Sequence, residues 1–222
     1  MFDNAERKTE RLRNRVEDSM SVRTYNIMLG LMILYGLVAN VVIVAFSGDF
    51  FINMNPVVFL IGYFVMALLG CALACGSDSP AVSFIGYNFV VLPIGALLSI
   101  FLTGYEEIDI LAAIVITAIV VAVMLFIAII WPYLFNEIGR SLFIGLLVGL
   151  VAECVATFLF DYSGDIFNWF FVILFSVYIG YDWCKAQDYS KTLDNAIDSA
   201  LDIYLDIINI FIRILSIIGN KN

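Results

Sequence analysis

Residues 180–213, GYDWCKAQDYSKTLDNAIDSALDIYLDIINIFIR, decide the fold that this sequence can adopt. One long apolar segment runs into this stretch and another runs out of it, which predicts a helical hairpin. Asp182 lies on the incoming helix, and Asp198, Asp202 and Asp206 lie on the outgoing one. A carboxylate inside a membrane is unfavourable by several kcal/mol unless it meets a partner, a proton or water. These carboxyl groups are therefore the first candidates for function.

The composition points to a membrane as the solvent. Of the 222 residues, 63% are hydrophobic, whereas a soluble domain is about half apolar. The formal net charge is −9, and no basic stripe with interleaved aromatic residues occurs, so a nucleic-acid partner is not expected. Because the chain has no histidine, proton chemistry near neutral pH must come from carboxyl groups. Cys71 and Cys75 have no histidine or further thiol near them in the sequence, so no metal cofactor is expected.

Seven apolar segments follow a charged N-terminal region, and each is close to the length of about 20 residues that crosses a bilayer. Short connections with glycine, proline or aspartate separate them. The sequence thus predicts an all-α membrane protein with two parts, a charged cytoplasmic segment at 1–24 and a domain of seven transmembrane helices at 25–222. The segments lie at about 27–46, 56–75, 81–102, 110–131, 141–160, 166–184 and 198–218.

The distribution of basic residues predicts the orientation. Six of the eleven lie in the N-terminal region, and the connections after the fourth and sixth segments hold Arg140, Lys185 and Lys191. The connections after the first, third and fifth segments hold only acidic charges. Because cytoplasmic loops collect lysine and arginine, the N-terminus is predicted inside and the C-terminus outside.

The seventh segment carries a polar stripe. Its polar residues recur at intervals of three or four, which places them on one face of a helix; they are Asp198, Asp202, Asp206, Asn209 and Arg213. Such a face cannot contact lipid, so we expect this helix to be central, surrounded by the other six, with its stripe lining a water-accessible pathway. A helix lying on the membrane surface is the alternative, although such helices more often have a basic stripe.

Hairpin geometry gives Asp182 two candidate partners. A turn centred on Asp194 places Asp182 level with Asp206, and a turn a few residues earlier places it level with Asp202. The two alternatives differ by about one helical turn, ~5 Å. Sequence spacing leaves both open.

Two more ionisable residues lie inside apolar segments. Glu153 either lines the same pathway as the aspartates or stays protonated against a neighbour. Arg213 lies ~10 Å beyond Asp206 along the helix, too far for a direct salt bridge to it. Its side chain either snorkels to the interface, which the nearby helix end favours, or reaches toward Glu153. At the outer end of an acidic pathway it could also act as a positive plug that repels cations.

The hairpin resembles the Bax inhibitor family, whose members carry the transmembrane Bax-inhibitor motif. The sixth segment contains YIGYD at 178–182, and the seventh contains ALDIYLDIINIF at 200–211. The resemblance implies a bacterial-type, seven-helix protein of the plasma membrane with a central seventh helix. It also implies a pH-dependent calcium leak gated by Asp182 and Asp206.

One departure from the family concerns a basic residue on the second helix, which in some relatives can pair with the aspartates. Here no lysine or arginine lies between Arg23 and Arg140. Any replacement must come from another part of the chain, and Arg213 is the nearest candidate.

The first functional hypothesis is a calcium leak. Two carboxyl groups held close together cannot both ionise without strong repulsion, so the pair shares a proton and holds the sixth and seventh helices together. Once ionised, Asp182 and Asp206 repel each other and offer oxygen ligands that suit a transient Ca²⁺ ion. Ca²⁺ would then be the transported ion, with no cofactor and no enzymatic activity. The sequence identifies no protein partner.

Two alternatives come from other classes. The chain could modulate a membrane protease or a stress or cell-death machinery without transporting anything. It could also be an intramembrane aspartyl protease, because Tyr181-Asp182 matches the first half-motif of that class. The second half-motif, Gly-x-Gly-Asp, is missing, since the residues before Asp206 are Ile203, Tyr204 and Leu205.

Overall fold

The computed structural model describes residues 19–47, 50–76, 78–160 and 165–219, where it contains seven long helices and no strand. The helices are α1 (Val22–Ser47), α2 (Pro56–Gly76), α3 (Pro80–Phe101), α4 (Glu107–Ile130), α5 (Gly139–Phe160), α6 (Asp165–Asp188) and α7 (Leu193–Ile218). Two short 3₁₀ turns, Leu102–Gly104 and Pro132–Leu134, follow α3 and α4. The all-α fold with seven helices is therefore confirmed. Most of the charged N-terminal segment, residues 1–18, lies outside the described residues, as do Asp49, Asp161 and Lys221.

Helices α1 to α6 are long and apolar enough to cross a bilayer, and they are the helices of the described chain that meet both conditions. Their large apolar side chains are widely exposed, as at Phe64, Leu68, Val148 and Phe158. So much exposed apolar surface is unfavourable in water but favourable in contact with lipid. The chain is an integral membrane protein.

Helix α7 has a different character. It is 26 residues long, but the acidic stripe interrupts its apolar surface. No residue between positions 194 and 217 is exposed, and Ile203, Tyr204, Ile210 and Leu215 are almost completely enclosed. A helix with a polar stripe must be covered by other parts of the protein, and the observed burial meets this requirement. The central position among the other six helices stays a prediction.

The chain divides into two compact units. The first combines the part up to Ser99 with Asp188–Leu201, and the second combines Ile100–Gln187 with the part from Asp202 onward. In the first unit, the Ser83 hydroxyl donates a hydrogen bond to Oδ1 of the buried Asp194 over 2.7 Å. The Tyr25 hydroxyl lies 3.2 Å from Oγ of Ser199. Side chains of α1 and α3 thus hold the first two turns of α7.

The connection between α6 and α7 explains why α7 begins before the predicted position 198. The Thr192 hydroxyl accepts a hydrogen bond from the Asn195 backbone N–H over 3.3 Å, which caps the helix start. The Lys191 ammonium donates to the Tyr189 carbonyl over 3.0 Å and lies 4.7 Å from the centre of the Tyr25 ring. Partial burial lowers the pKa of Lys191, and Asp188 acts in the opposite direction.

In the second unit, close packing fixes the end of α6 that carries Asp182. Gly180 and Gly139 leave room for the rings of Phe135 and Tyr181, and a Cβ at either glycine would overlap the ring. Phe135 is buried in a cluster with Ala128 and Cys184. The backbone around Asp182 is therefore held by rigid aromatic contacts.

Candidate functional site

Asp182 and Asp206 form a buried carboxyl pair in the second unit. Asp182 is 6% exposed and Asp206 is 5% exposed, and their side chains lie within hydrogen-bonding reach of each other. A carboxylate only accepts hydrogen bonds, so a bond between two carboxyl groups requires a proton on one of them. The arrangement fits a pair that holds one proton in common.

One oxygen of Asp206 supports this assignment. Its Oδ2 atom is buried and accepts no hydrogen bond from any described residue. A buried ionised oxygen without a donor is strongly unfavourable. A proton carried by the pair removes that penalty.

Lys185 connects the buried pair to a third aspartate. Its Nζ donates to Oδ2 of Asp202 over 2.9 Å and lies 3.9 Å from Oδ1 of Asp182. The Lys185 and Asp202 side chains are 34% and 43% exposed, in contrast to the enclosed Asp182 and Asp206. An accessible ion pair therefore lies directly beside the buried carboxyl pair.

Both candidate partners of Asp182 are thus near it. Asp206 meets it directly, and Asp202 acts on it electrostatically and through Lys185. The sequence pattern placed Lys185 in a connection and did not predict this role. Two signals could have identified it. Lys185 follows Asp182 by three residues, which is the spacing of neighbours on one helix face, and the hairpin brings it beside the stripe of the seventh segment.

The remaining stripe residues have separate environments. Asp198 is partly buried and acts electrostatically on Tyr25 in the first unit. The Asn209 side chain donates to the Leu205 carbonyl of its own helix over 2.8 Å. Whether Asp198, Asp202 and Asn209 line a pathway stays a prediction.

Arg213 pairs with Glu153, and the expected snorkel to the interface is wrong. Its NH1 and NH2 groups contact the two carboxylate oxygens of Glu153, with a distance of 2.9 Å between NH2 and Oε2. NH1 also donates to Oδ1 of Asn168 over 3.0 Å, and the guanidinium lies 4.4 Å from the centre of the Phe171 ring. A planar guanidinium favours this two-pronged contact with a carboxylate. Because Glu153 neutralises it, Arg213 has little net charge to act as a plug.

The described residues offer a metal ion only partial coordination. They contain no group of three or more cysteine, aspartate or glutamate side chains placed around one ion position. Ca²⁺ takes six to eight oxygen ligands. A Ca²⁺ ion at these aspartates would therefore keep much of its water, as a passing ion does.

The sequence comparisons agree with the motif. No curated protein matches the chain significantly. A family model, described as "Inhibitor of apoptosis-promoting Bax1", matches residues 17–222. The match covers almost the whole chain, including all seven helices and both aspartates of the buried pair. The chain therefore belongs to the Bax inhibitor family.

Proposed function

We propose that this protein is a non-enzymatic, pH-sensitive path by which Ca²⁺ leaks across the membrane, with Asp182 and Asp206 as its sensor. The observation that carries the proposal is the contact between two enclosed carboxyl groups from consecutive helices. Membership of the Bax inhibitor family supports a function within the membrane. The membrane is expected to be the bacterial plasma membrane.

The proton of the pair acts as the closing element. While one proton is shared, Asp182 and Asp206 attract each other and hold α6 against α7. When this proton leaves, two negative charges repel each other in a poorly solvated site. The helices then separate and the exposed oxygens attract Ca²⁺, the transported ion. Since the closed state holds the extra proton, the leak is expected to increase as pH rises.

The proposal is tested by Ca²⁺ flux from vesicles that contain only this protein, measured as a function of pH. Asp206→Asn keeps a hydrogen-bonding group but abolishes proton sharing, and so does Asp182→Asn. Both variants are expected to insert normally and to lose the pH dependence of the wild type. Glu107→Gln, which removes an exposed carboxylate at the start of α4, is the matched control.

Two results would contradict the proposal. Wild-type pH dependence in both asparagine variants would show that the pair is not the sensor. Absence of Ca²⁺ flux from wild-type vesicles at every pH would exclude the leak and favour an interaction protein.

A further inference from the structure

Three carboxyl groups and one ammonium make up the cluster around Asp182. Lys185 Nζ lies 2.9 Å from Asp202 and 3.9 Å from Asp182, and Asp206 completes the set from the buried side. Even with one proton on the buried pair, the cluster holds more negative than positive charge. With the ammonium displaced, two negative charges remain, which suits a divalent cation.

We propose that Asp202 and Asp182 form an outer subsite for a divalent cation, and that the Lys185 ammonium occupies this subsite as a built-in competitor. A cation that passes between the Asp182–Asp206 pair and the side of the α6–α7 connection must displace the ammonium. The proposal rests on the leak function for the identity of this cation as Ca²⁺.

The position of the ammonium suits a hydrated Ca²⁺ ion. Ca²⁺ binds oxygen at about 2.3–2.6 Å, which is slightly shorter than the 2.9 Å between Lys185 Nζ and Asp202 Oδ2. An ion at this position contacts Asp202 directly and reaches the more distant Asp182 through a bridging water. The Asp202 side chain is 43% exposed, which leaves room for the remaining water ligands of the ion.

A second observation marks the inner side of the subsite. The buried Oδ2 atom of Asp206 accepts no hydrogen bond from the described residues, so it is available to a cation once the shared proton has left. A cation on this path contacts both this oxygen and the outer subsite. The two subsites together make a short acidic path.

Lys185 can leave its position without losing a favourable environment. It lies in the last turn of α6, where the unpaired carbonyl groups of a helix end attract positive charge. Its long flexible stem allows the ammonium to move several ångströms. Displacement by Ca²⁺ is therefore an exchange between two cations.

The test is equilibrium dialysis of radioactive Ca²⁺ with the full chain in lipid nanodiscs at one fixed pH. Lys185→Met removes a charge that otherwise lies within about 4 Å of the doubly charged ion, which is expected to strengthen Ca²⁺ binding about thirtyfold under water-like screening. Lys185→Gln should act in the same way, and it serves as a second variant if the methionine variant folds poorly. Lys185→Arg keeps the charge and should bind Ca²⁺ close to the wild-type level.

Lys191→Met is the matched control. It removes a lysine that lies on the Tyr25 ring and the Tyr189 carbonyl, and it should leave Ca²⁺ affinity unchanged. In the Lys185→Met background, Asp202→Asn removes the direct ligand and should reverse most of the gain.

The outcomes separate this inference from the leak itself. If Lys185→Met and Lys185→Gln bind Ca²⁺ like the wild type while Asp206→Asn still alters flux, the outer subsite is wrong and the leak stands. Equal affinities of Lys185→Met with and without Asp202→Asn would also remove the subsite. Absence of both Ca²⁺ binding and flux in every variant would overturn the subsite and the leak together.

Discussion

Asp202 and Asp206 show how one residue type serves two purposes a helical turn apart. Both lie on the polar stripe of α7, yet the Asp202 side chain is 43% exposed and the whole residue Asp206 only 5%. Exposure keeps Asp202 solvated and paired with Lys185. Enclosure brings Asp206 against Asp182, where we propose that the two share a proton. The periodicity of the sequence placed both aspartates on one face but could not distinguish their environments, because tertiary packing decides exposure.

The Arg213–Glu153 contact predicts a loss of stability on mutation. Arg213→Gln leaves the Glu153 carboxylate without its charged partner, and a poorly solvated group that loses its partner destabilises the fold by about 1–3 kcal/mol. We expect a lower midpoint of thermal unfolding in detergent. Arg140→Gln removes an exposed arginine at the start of α5 and should change the midpoint little.

A double variant completes this test. Arg213→Gln combined with Glu153→Gln removes both charges, so it should recover part of the stability that Arg213→Gln alone loses. An unfolding midpoint of Arg213→Gln equal to that of the wild type would show that the ion pair contributes nothing.

At the scale of helices, the sequence predicted that each helix exists more accurately than it predicted where each helix begins. The seven apolar segments correspond to α1–α7, but α1 begins at Val22 and α7 at Leu193, each about five residues before its predicted start. The first turn of each helix contains polar residues, and hydroxyl groups cap both helices. The Ser21 hydroxyl accepts from the Thr24 backbone N–H over 3.1 Å, as Thr192 does for Asn195. Apolar length alone cannot identify such polar first turns.

The sequence likewise predicted some residues of the candidate site and missed others. The motif and the stripe predicted the residues of the carboxyl pair, since both depend on local sequence. Lys185 and the Asn168 partner of Arg213 were missed, because their roles depend on which side chains of neighbouring helices meet. Contacts between helices follow from packing, and a single sequence contains no direct record of them.

The packing of α6 gives a prediction at this scale. Gly180→Ala places a Cβ against the ring of Phe135, and overfilling a packed interior destabilises a protein by about 1–3 kcal/mol. We expect a lower unfolding midpoint and, because Asp182 follows two residues later, a shifted pH dependence of Ca²⁺ flux. Gly30→Ala is the matched control, since a Cβ at Gly30 meets nothing within 4 Å. A Gly180→Ala protein as stable as Gly30→Ala would contradict the packing argument.

In the molecule as a whole, the exposed side chains of the membrane-spanning helices are mostly apolar, whereas the charged side chains between them are paired and at least partly buried. The exposed faces of α1 to α6 carry aliphatic and aromatic side chains, whereas the carboxyl pair and the Arg213–Glu153 pair lie within the second unit. Lipid cannot solvate polar groups, so each intramembrane charge must find a partner inside the protein. Asp182, Asp206, Glu153 and Arg213 all meet this condition.

The orientation in the membrane is the prediction that concerns the entire chain. Nine of the eleven basic residues lie in the N-terminal region, at Arg140, or at Lys185 and Lys191 on either side of the end of α6; Arg213 and Lys221 are the others. With seven crossings, retention of these nine on the cytoplasmic side places the C-terminus outside. A reporter active only outside the cytoplasm is therefore expected to work after Asn222, and one active only in the cytoplasm to work when inserted after Tyr189. The opposite pattern would reverse the topology, and Ca²⁺ would then reach the Lys185–Asp202 subsite from outside the cell.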